Sequence, residues 1–207
     1  SNQQSITSGL VEETTKEKVG DTVQAVIGTE DYKKGTTIDL TDTNFVGTKI
    51  VAVTLPAEII AKSNAGDIKL IGKDFTLKLN PKVFDTAKVR QHRDRSDAGV
   101  RFELALNEGN PDSGGRTTLS TQYVLKAEFY VGREVSSMDY LSNSMEFSLE
   151  YDRAKADLRK ITDVALYRYD DANGDWLKIY ERYNSYDIVI RTTINRLGRY
   201  GIFGARR

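Results

Sequence analysis

Short segments that alternate apolar and polar residues, with turn residues between them, run through nearly the whole chain. In "GVRFELALN" (Gly99–Asn107), Val100, Phe102 and Leu104 alternate with Arg101 and Glu103. A period of two sends one residue set to each side of an extended backbone, which is the signature of a half-buried strand. The same pattern, rich in Val, Ile, Thr, Tyr and Phe, recurs in "DTVQAVIG" (Asp21–Gly28), "TTIDLT" (Thr36–Thr41), "KIVAVTL" (Lys49–Leu55), "DIKLIG" (Asp67–Gly72) and "DFTLKL" (Asp74–Leu79). It continues in "QYVLKAEFYV" (Gln122–Val131), "SMEFSLEY" (Ser144–Tyr151), "YDIVIRTT" (Tyr186–Thr193) and "RYGIF" (Arg199–Phe203). Many short strands with no long helix between them predict a mainly β protein, an antiparallel β-sandwich with short helical turns.

The helical turns are marked by proline. "LPAEIIAKSNAG" places Pro56 at a helix start, where a missing N–H costs nothing, and Gly66 after the expected end. "NPKVFDTAKV" repeats the arrangement at Pro81, so that "VAVTLPAEII" and "FTLKLNPKVF" form a near-repeat of strand, proline and short helix. In "YDRAKADLRKI", Ala154, Leu158 and Ile161 fall at helical spacing and predict a third turn of helix. Residues 1–20 are polar and carry little periodicity, so they are expected to form a linker or an edge segment. Residues 21–207 are expected to form the β-sandwich domain, with a possible sub-division near 90–120. The chain begins with Ser1 rather than Met, and it is expected to be a piece of a longer protein.

Charge and composition exclude several function classes. Lys plus Arg equals Asp plus Glu at 30 each, and the first 90 residues already balance at 12 against 12. No basic field is present to hold nucleic acid. No apolar run is long enough to span a bilayer, so no membrane insertion is expected of this segment. With no cysteine, disulfides, thiolate metal sites and Cys nucleophiles are all excluded. His92, the one histidine, sits in the charged stretch "VRQHRDRSDAG" and reads as part of a solvated loop. Carboxylate pairs such as Asp39/Asp42 and Asp170/Asp171 are easy to find, but no nucleophile–base constellation accompanies them. "GNPDSGGR" (Gly109–Arg116) lacks the Lys-Ser/Thr of a phosphate loop and reads as a connection. The chain is therefore not expected to be an enzyme, to hold a metal or to need a cofactor.

"YRYDDANGDWLKIY" (Tyr167–Tyr180) raises the question of a calcium loop. An EF-hand-type loop needs oxygen ligands at positions 1, 3 and 5, Gly at 6 and Glu at 12. With Gly174 at position 6, Asp171 and Asn173 fit, but positions 1 and 12 become Tyr169 and Tyr180. With Asp170 at position 1, position 6 becomes Asp175. Neither register works, whereas a hairpin turning at Asn173-Gly174 accounts for every residue. In that hairpin Val164, Leu166 and Trp176, with Ile188, are expected to share the sandwich interior. Ten of the eleven tyrosines lie at or after Tyr123. Cross-strand packing explains such a distribution. The alternative is an exposed aromatic face that binds sugar, for which Trp176, Tyr180, Tyr183 and Tyr186 are the candidate residues.

"VALYRYDDANGDWLKI" followed by "RTTINRLGRYGIFG" resembles the end of a domain repeated in bacterial surface-layer and surface-layer-associated proteins. "VAVTLPAEIIAK" and "DFTLKLNPKVF" are similar to the proline-ended strands of the same domains, and the likeness runs with gaps from about Lys49 to Phe203. The closing motif also resembles the self-cleaving β domains of ankyrin- and netrin-receptor-type proteins. In those relatives a His activates a Ser that attacks the preceding peptide bond. Aligned on Tyr200, Arg196 stands at the His position, Leu197 at the Phe and Gly198 at the Ser. Gly supplies no nucleophile and a guanidinium stays protonated. The resemblance thus implies the fold with a degenerate cleavage motif. It further implies a non-catalytic structural or adhesive module of an exported protein, located outside the cell at the bacterial surface. The partners expected are other cell-surface proteins or cell-wall or extracellular polysaccharide. A carbohydrate-binding module using the exposed Trp and Tyr is the alternative.

Overall fold

The computed structural model describes residues 10–109, 111–157, 159–181 and 187–207. Its first half contains β1 (Thr15–Val19), β2 (Thr22–Val26), β3 (Thr36–Asp39), β4 (Ile50–Pro56), α1 (Ala57–Ile60), β5 (Ile68–Ile71), β6 (Phe75–Leu79), α2 (Ala87–Gln91) and β7 (Ala98–Leu106). Its second half contains β8 (Thr117–Thr118), β9 (Tyr123–Val131), β10 (Glu134–Met138), β11 (Tyr140–Glu150), β12 (Ile161–Asp170), β13 (Asp175–Glu181), β14 (Val189–Arg196) and β15 (Gly198–Arg206). The protein is mainly β, with two sheets packed together. One runs β1-β2-β4-β7-β9-β15-β12-β13, with β10 beside β9 and β8 beside β15; the other runs β14-β11-β6-β5-β3.

Alternation in the sequence becomes layering in the fold. Phe102 and Leu104 of β7, Leu77 of β6, Phe147 and Leu149 of β11, and Ile202 of β15 all point inward and are buried in one continuous core. The two proline-ended strands lie in opposite sheets, β4 in the larger and β6 in the smaller. Each delivers an apolar turn: α1 buries Ala57, Ile59 and Ile60, and the 3-10 turn at Pro81–Phe84 buries Pro81, Val83 and Phe84. Asn80 and Thr86 cap the two turns of the second unit, accepting from the N–H groups of Lys82 and Val89.

Two pairings depart from an all-antiparallel sandwich. β2 runs parallel to β4, and β3 runs parallel to β5. A parallel neighbour needs a crossover. Here the strand between each pair supplies it by crossing to the opposite sheet: β3 lies between β2 and β4, and β4 between β3 and β5.

Local chemistry explains the other differences. Gly66 does not end a helix, because α1 stops at Ile60. Instead a Cβ at Gly66 would lie 2.2 Å from the backbone N of Gly35, itself at φ +68°, so the glycine permits a close crossing of two chains. The segment 152–157 forms turns, not a third helix, and Leu158 lies outside the described residues. Asp152 accepts from the N–H of Ala154 and Asp157 from that of Arg159, bonds that compete with helix formation. Thr15–Val19, inside the segment expected as linker or edge, is the edge strand of the larger sheet. β4 pairs with β7, and β6 with β11, so strands from both sides of residues 90–120 share both sheets. His92 follows α2, half-buried, with its ring centroid 5.7 Å from that of Phe129. No helix among the described residues is long and apolar enough to cross a membrane.

Candidate functional site

Arg196, Leu197 and Gly198 form an arch between the sheets. β14 ends at Arg196 in the smaller sheet, Leu197 crosses, and β15 begins at Gly198 in the larger. A second crossing lies alongside, from β10 through Asp139 to β11, and the Leu197 N–H donates to the Asp139 carbonyl at 3.4 Å. Gly198 has φ +146°, a conformation reserved for glycine. The Arg196 guanidinium does not face the Leu197–Gly198 bond. It lies over the Tyr140 ring at 4.7 Å and donates to its hydroxyl at 3.0 Å. The Arg196 carbonyl accepts from the buried Tyr200 hydroxyl at 2.5 Å. Burial pushes the Tyr200 phenol above its ordinary value, which keeps it a neutral donor. A Tyr that ties its hydroxyl to the backbone a few residues upstream, where a strand changes sheets, is a tyrosine corner.

Trp176 is buried, at 4% exposure, but not in the sandwich interior. It forms a separate cluster with Ala165, Tyr167 and Phe203. Leu166 lies in the main core, with Val164 and Ile188 packed against it. The reason is register. Asp170 pairs with Asp175 at the turn, so Trp176 stands across from Tyr169 and shares its face, while Leu166 points to the other. The ring centroids of Trp176 and Phe203 are 4.6 Å apart, and those of Trp176 and Tyr169 5.4 Å. Asp112 and Arg116 strap the cluster down. The Trp176 indole N–H donates to the Asp112 carbonyl at 2.9 Å, and Arg116 lies 4.9 Å over the Tyr167 ring while donating to Asp175 at 3.2 Å.

Tyr180 is 46% exposed. The register shifts between Leu166 and Tyr167, with Ile179 as the extra residue on β13, so Tyr180 pairs with Leu166 and faces away from Trp176. The two therefore do not form one platform, a correction to the aromatic reading that the bulge makes necessary. Tyr183 and Tyr186 lie outside the described residues.

The hairpin carboxylates are occupied locally. Asp170 accepts from Ala172 N–H at 3.1 Å and from the Asn173 amide at 2.6 Å. The Asn173 bond holds the Asp170 carboxyl below the usual range. Asp175 is lowered first by the Trp176 N–H and then by Arg116. Asp39 and Asp42 likewise each bond within their own turns, to Thr41 and Asn44. Among the described residues no three His, Asp or Glu side chains converge on a point. Calorimetric titration with calcium is expected to give no stoichiometric micromolar heat, because a cage needs several free oxygens on one centre.

The outer face of the smaller sheet is polar and forms a shallow trough of about 460 Å³ across β5, β6, β11 and β14. Lys69, Lys78, Arg191 and Glu146 supply its charge, and Thr76, Ser148 and Thr193 its hydroxyls. In the sequence these residues are the polar positions of alternating strands, with nothing local to set them apart. The only available signal is that Lys69, Lys78, Glu146 and Thr193 fall on one cross-strand row, which requires knowing the pairing. Compared with family models, with curated proteins and with solved structures, the chain matches none.

Proposed function

We propose that the chain is a non-catalytic structural or adhesive module of an exported bacterial cell-surface protein, working outside the cell against other surface proteins or polysaccharide. The arch at Arg196–Gly198 is the observation that carries this reading. At the position where the resembled domains place a nucleophile, this chain has a glycine at φ +146°. At the position of the base it has an arginine turned onto Tyr140. The backbone carbonyl between them is held by Tyr200. The site has become a sheet-to-sheet fastening. The aromatic carbohydrate-binding alternative has less support, because Trp176 is covered and Tyr180 faces the other way.

One experiment addresses both halves of the proposal. Intact producing cells are labelled with a membrane-impermeant amine reagent, and the recovered protein is analysed by intact mass after days at room temperature. Label on the lysines without lysis, and a chain continuous through Leu197–Gly198, are the expected results. Labelling only after lysis would overturn the surface location, and a fragment pair split at that bond would overturn the non-catalytic reading.

A further inference from the structure

The trough on the smaller sheet holds polar groups that the fold leaves unused. Lys69 on β5 stands directly across from Lys78 on β6. Like charges opposed in this way disfavour the sheet. Glu146 stands across from Lys78 on its other side and bonds it at 2.8 Å. Only one of the two lysines is thereby neutralised, and Lys69 has no ion-pair partner among the described residues. One row further along, Thr76, Ser148 and Arg191 lie side by side. Arg191 spends one arm on Asp187, at 2.6 Å, and a guanidinium has five N–H donors. The hydroxyls of Thr76, Ser148 and Thr193 have no protein partner among the described residues.

From this arrangement we infer that the trough binds a linear acidic polysaccharide built of uronic-acid units. A sugar carboxylate lies at Lys69, between it and Lys78, where it removes the repulsion of the like-charged pair. Sugar hydroxyls exchange donor and acceptor roles with Thr76, Ser148 and Thr193. The shape favours a chain over a compact ligand: four strands at about 4.8 Å spacing give a track about 14 Å wide. Small-molecule pockets are by contrast deep and mostly apolar. Nucleic acid is disfavoured because no aromatic side chain lines the trough for stacking. The inference deepens the adhesive reading above and rests on it.

Affinity electrophoresis in gels containing polygalacturonate or, separately, dextran tests it. At low salt the protein should be retarded by polygalacturonate and not by dextran, with the retardation falling as salt rises. Lys69→Glu places a carboxylate opposite Lys78, so thermal unfolding should not drop while the affinity falls at least tenfold. Lys155→Glu makes the same charge change in the turn at 152–156, away from the trough, and should leave binding within twofold. Absence of retardation, equal retardation by dextran, an unchanged Lys69→Glu variant or an equal loss in Lys155→Glu would each overturn the site. None of these results bears on whether the protein is labelled at the surface of intact cells, so the two readings fail separately.

Discussion

Replacing Trp176 by Ala should destabilise the protein by about 3–5 kcal/mol, the range for deleting a large buried aromatic. The indole is the centre of a small cluster rather than one member of a large core. Phe203, Tyr169 and Tyr167 all lose packing when it goes, and the Asp112–Arg116 strap loses its indole hydrogen bond. Asp112 is exposed, so water replaces that bond cheaply and most of the loss comes from packing. For a chain of 207 residues the midpoint of thermal unfolding should fall by roughly 6–20 °C. The variant has no tryptophan left to report fluorescence, so far-UV circular dichroism is the appropriate readout. Tyr180→Ala is the internal control. Half-exposed and on the opposite face, it should change stability by less than about 0.5 kcal/mol. Equal small effects at both positions would mean that the strap does not cover Trp176.

The tyrosine corner should give the second-largest effect. Tyr200→Phe keeps the ring, with its 5.7 Å edge contact to Phe147, and removes only the hydroxyl that donates to the Arg196 carbonyl. A cost of about 1 kcal/mol is expected, because a part-buried hydrogen bond is lost. Gly198→Ala should cost a similar amount for a different reason. An added Cβ would meet only Arg168 side-chain carbons at 3.4 Å, so space is not the obstacle. The obstacle is φ +146°, which side chains oppose by about 1–3 kcal/mol. In urea both variants should lower the midpoint without changing the slope, since neither alters the surface exposed on unfolding. The effects should not add, because both act on one arch.

What could be read from the sequence follows from the range of the forces involved. Strand identity is local, so "GVRFELALN" and "DFTLKL" resolve as β7 and β6 almost to the residue. The asparagine–glycine turn is local as well, and Gly174 has the positive φ, +65°, that the hairpin needs. The burial of Trp176 was legible, and so was its side of the sheet, although the expectation that it shares the interior with Leu166 did not use it. The turn does fix the register, because pairing Asp170 with Asp175 puts Trp176 opposite Tyr169 and on the other face from Leu166. Tyr180 was not accessible to such counting, because a bulge at Ile179 reverses the parity midway along β13. The parallel pairs β2–β4 and β3–β5 leave no local mark either, since what distinguishes them is which sheet the intervening strand joins. The trough stayed invisible for the same reason: Lys69 and Lys78 look like ordinary solvent-facing residues until their strands are paired.

The position of β15 bears on how such a chain can be made. It is the last strand described, yet it lies in the middle of the larger sheet, between β9 and β12. Until Gly198–Arg206 arrives, β1, β2, β4, β7, β9 and β10 form one ribbon of the larger sheet and β12–β13 another, with no strand pairing between them. A chain emerging from its N-terminus cannot complete this sheet until Gly198–Arg206 has emerged. The larger sheet is then closed by the insertion of one late strand, and Gly198 and Tyr200 sit at the N-terminal end of that strand.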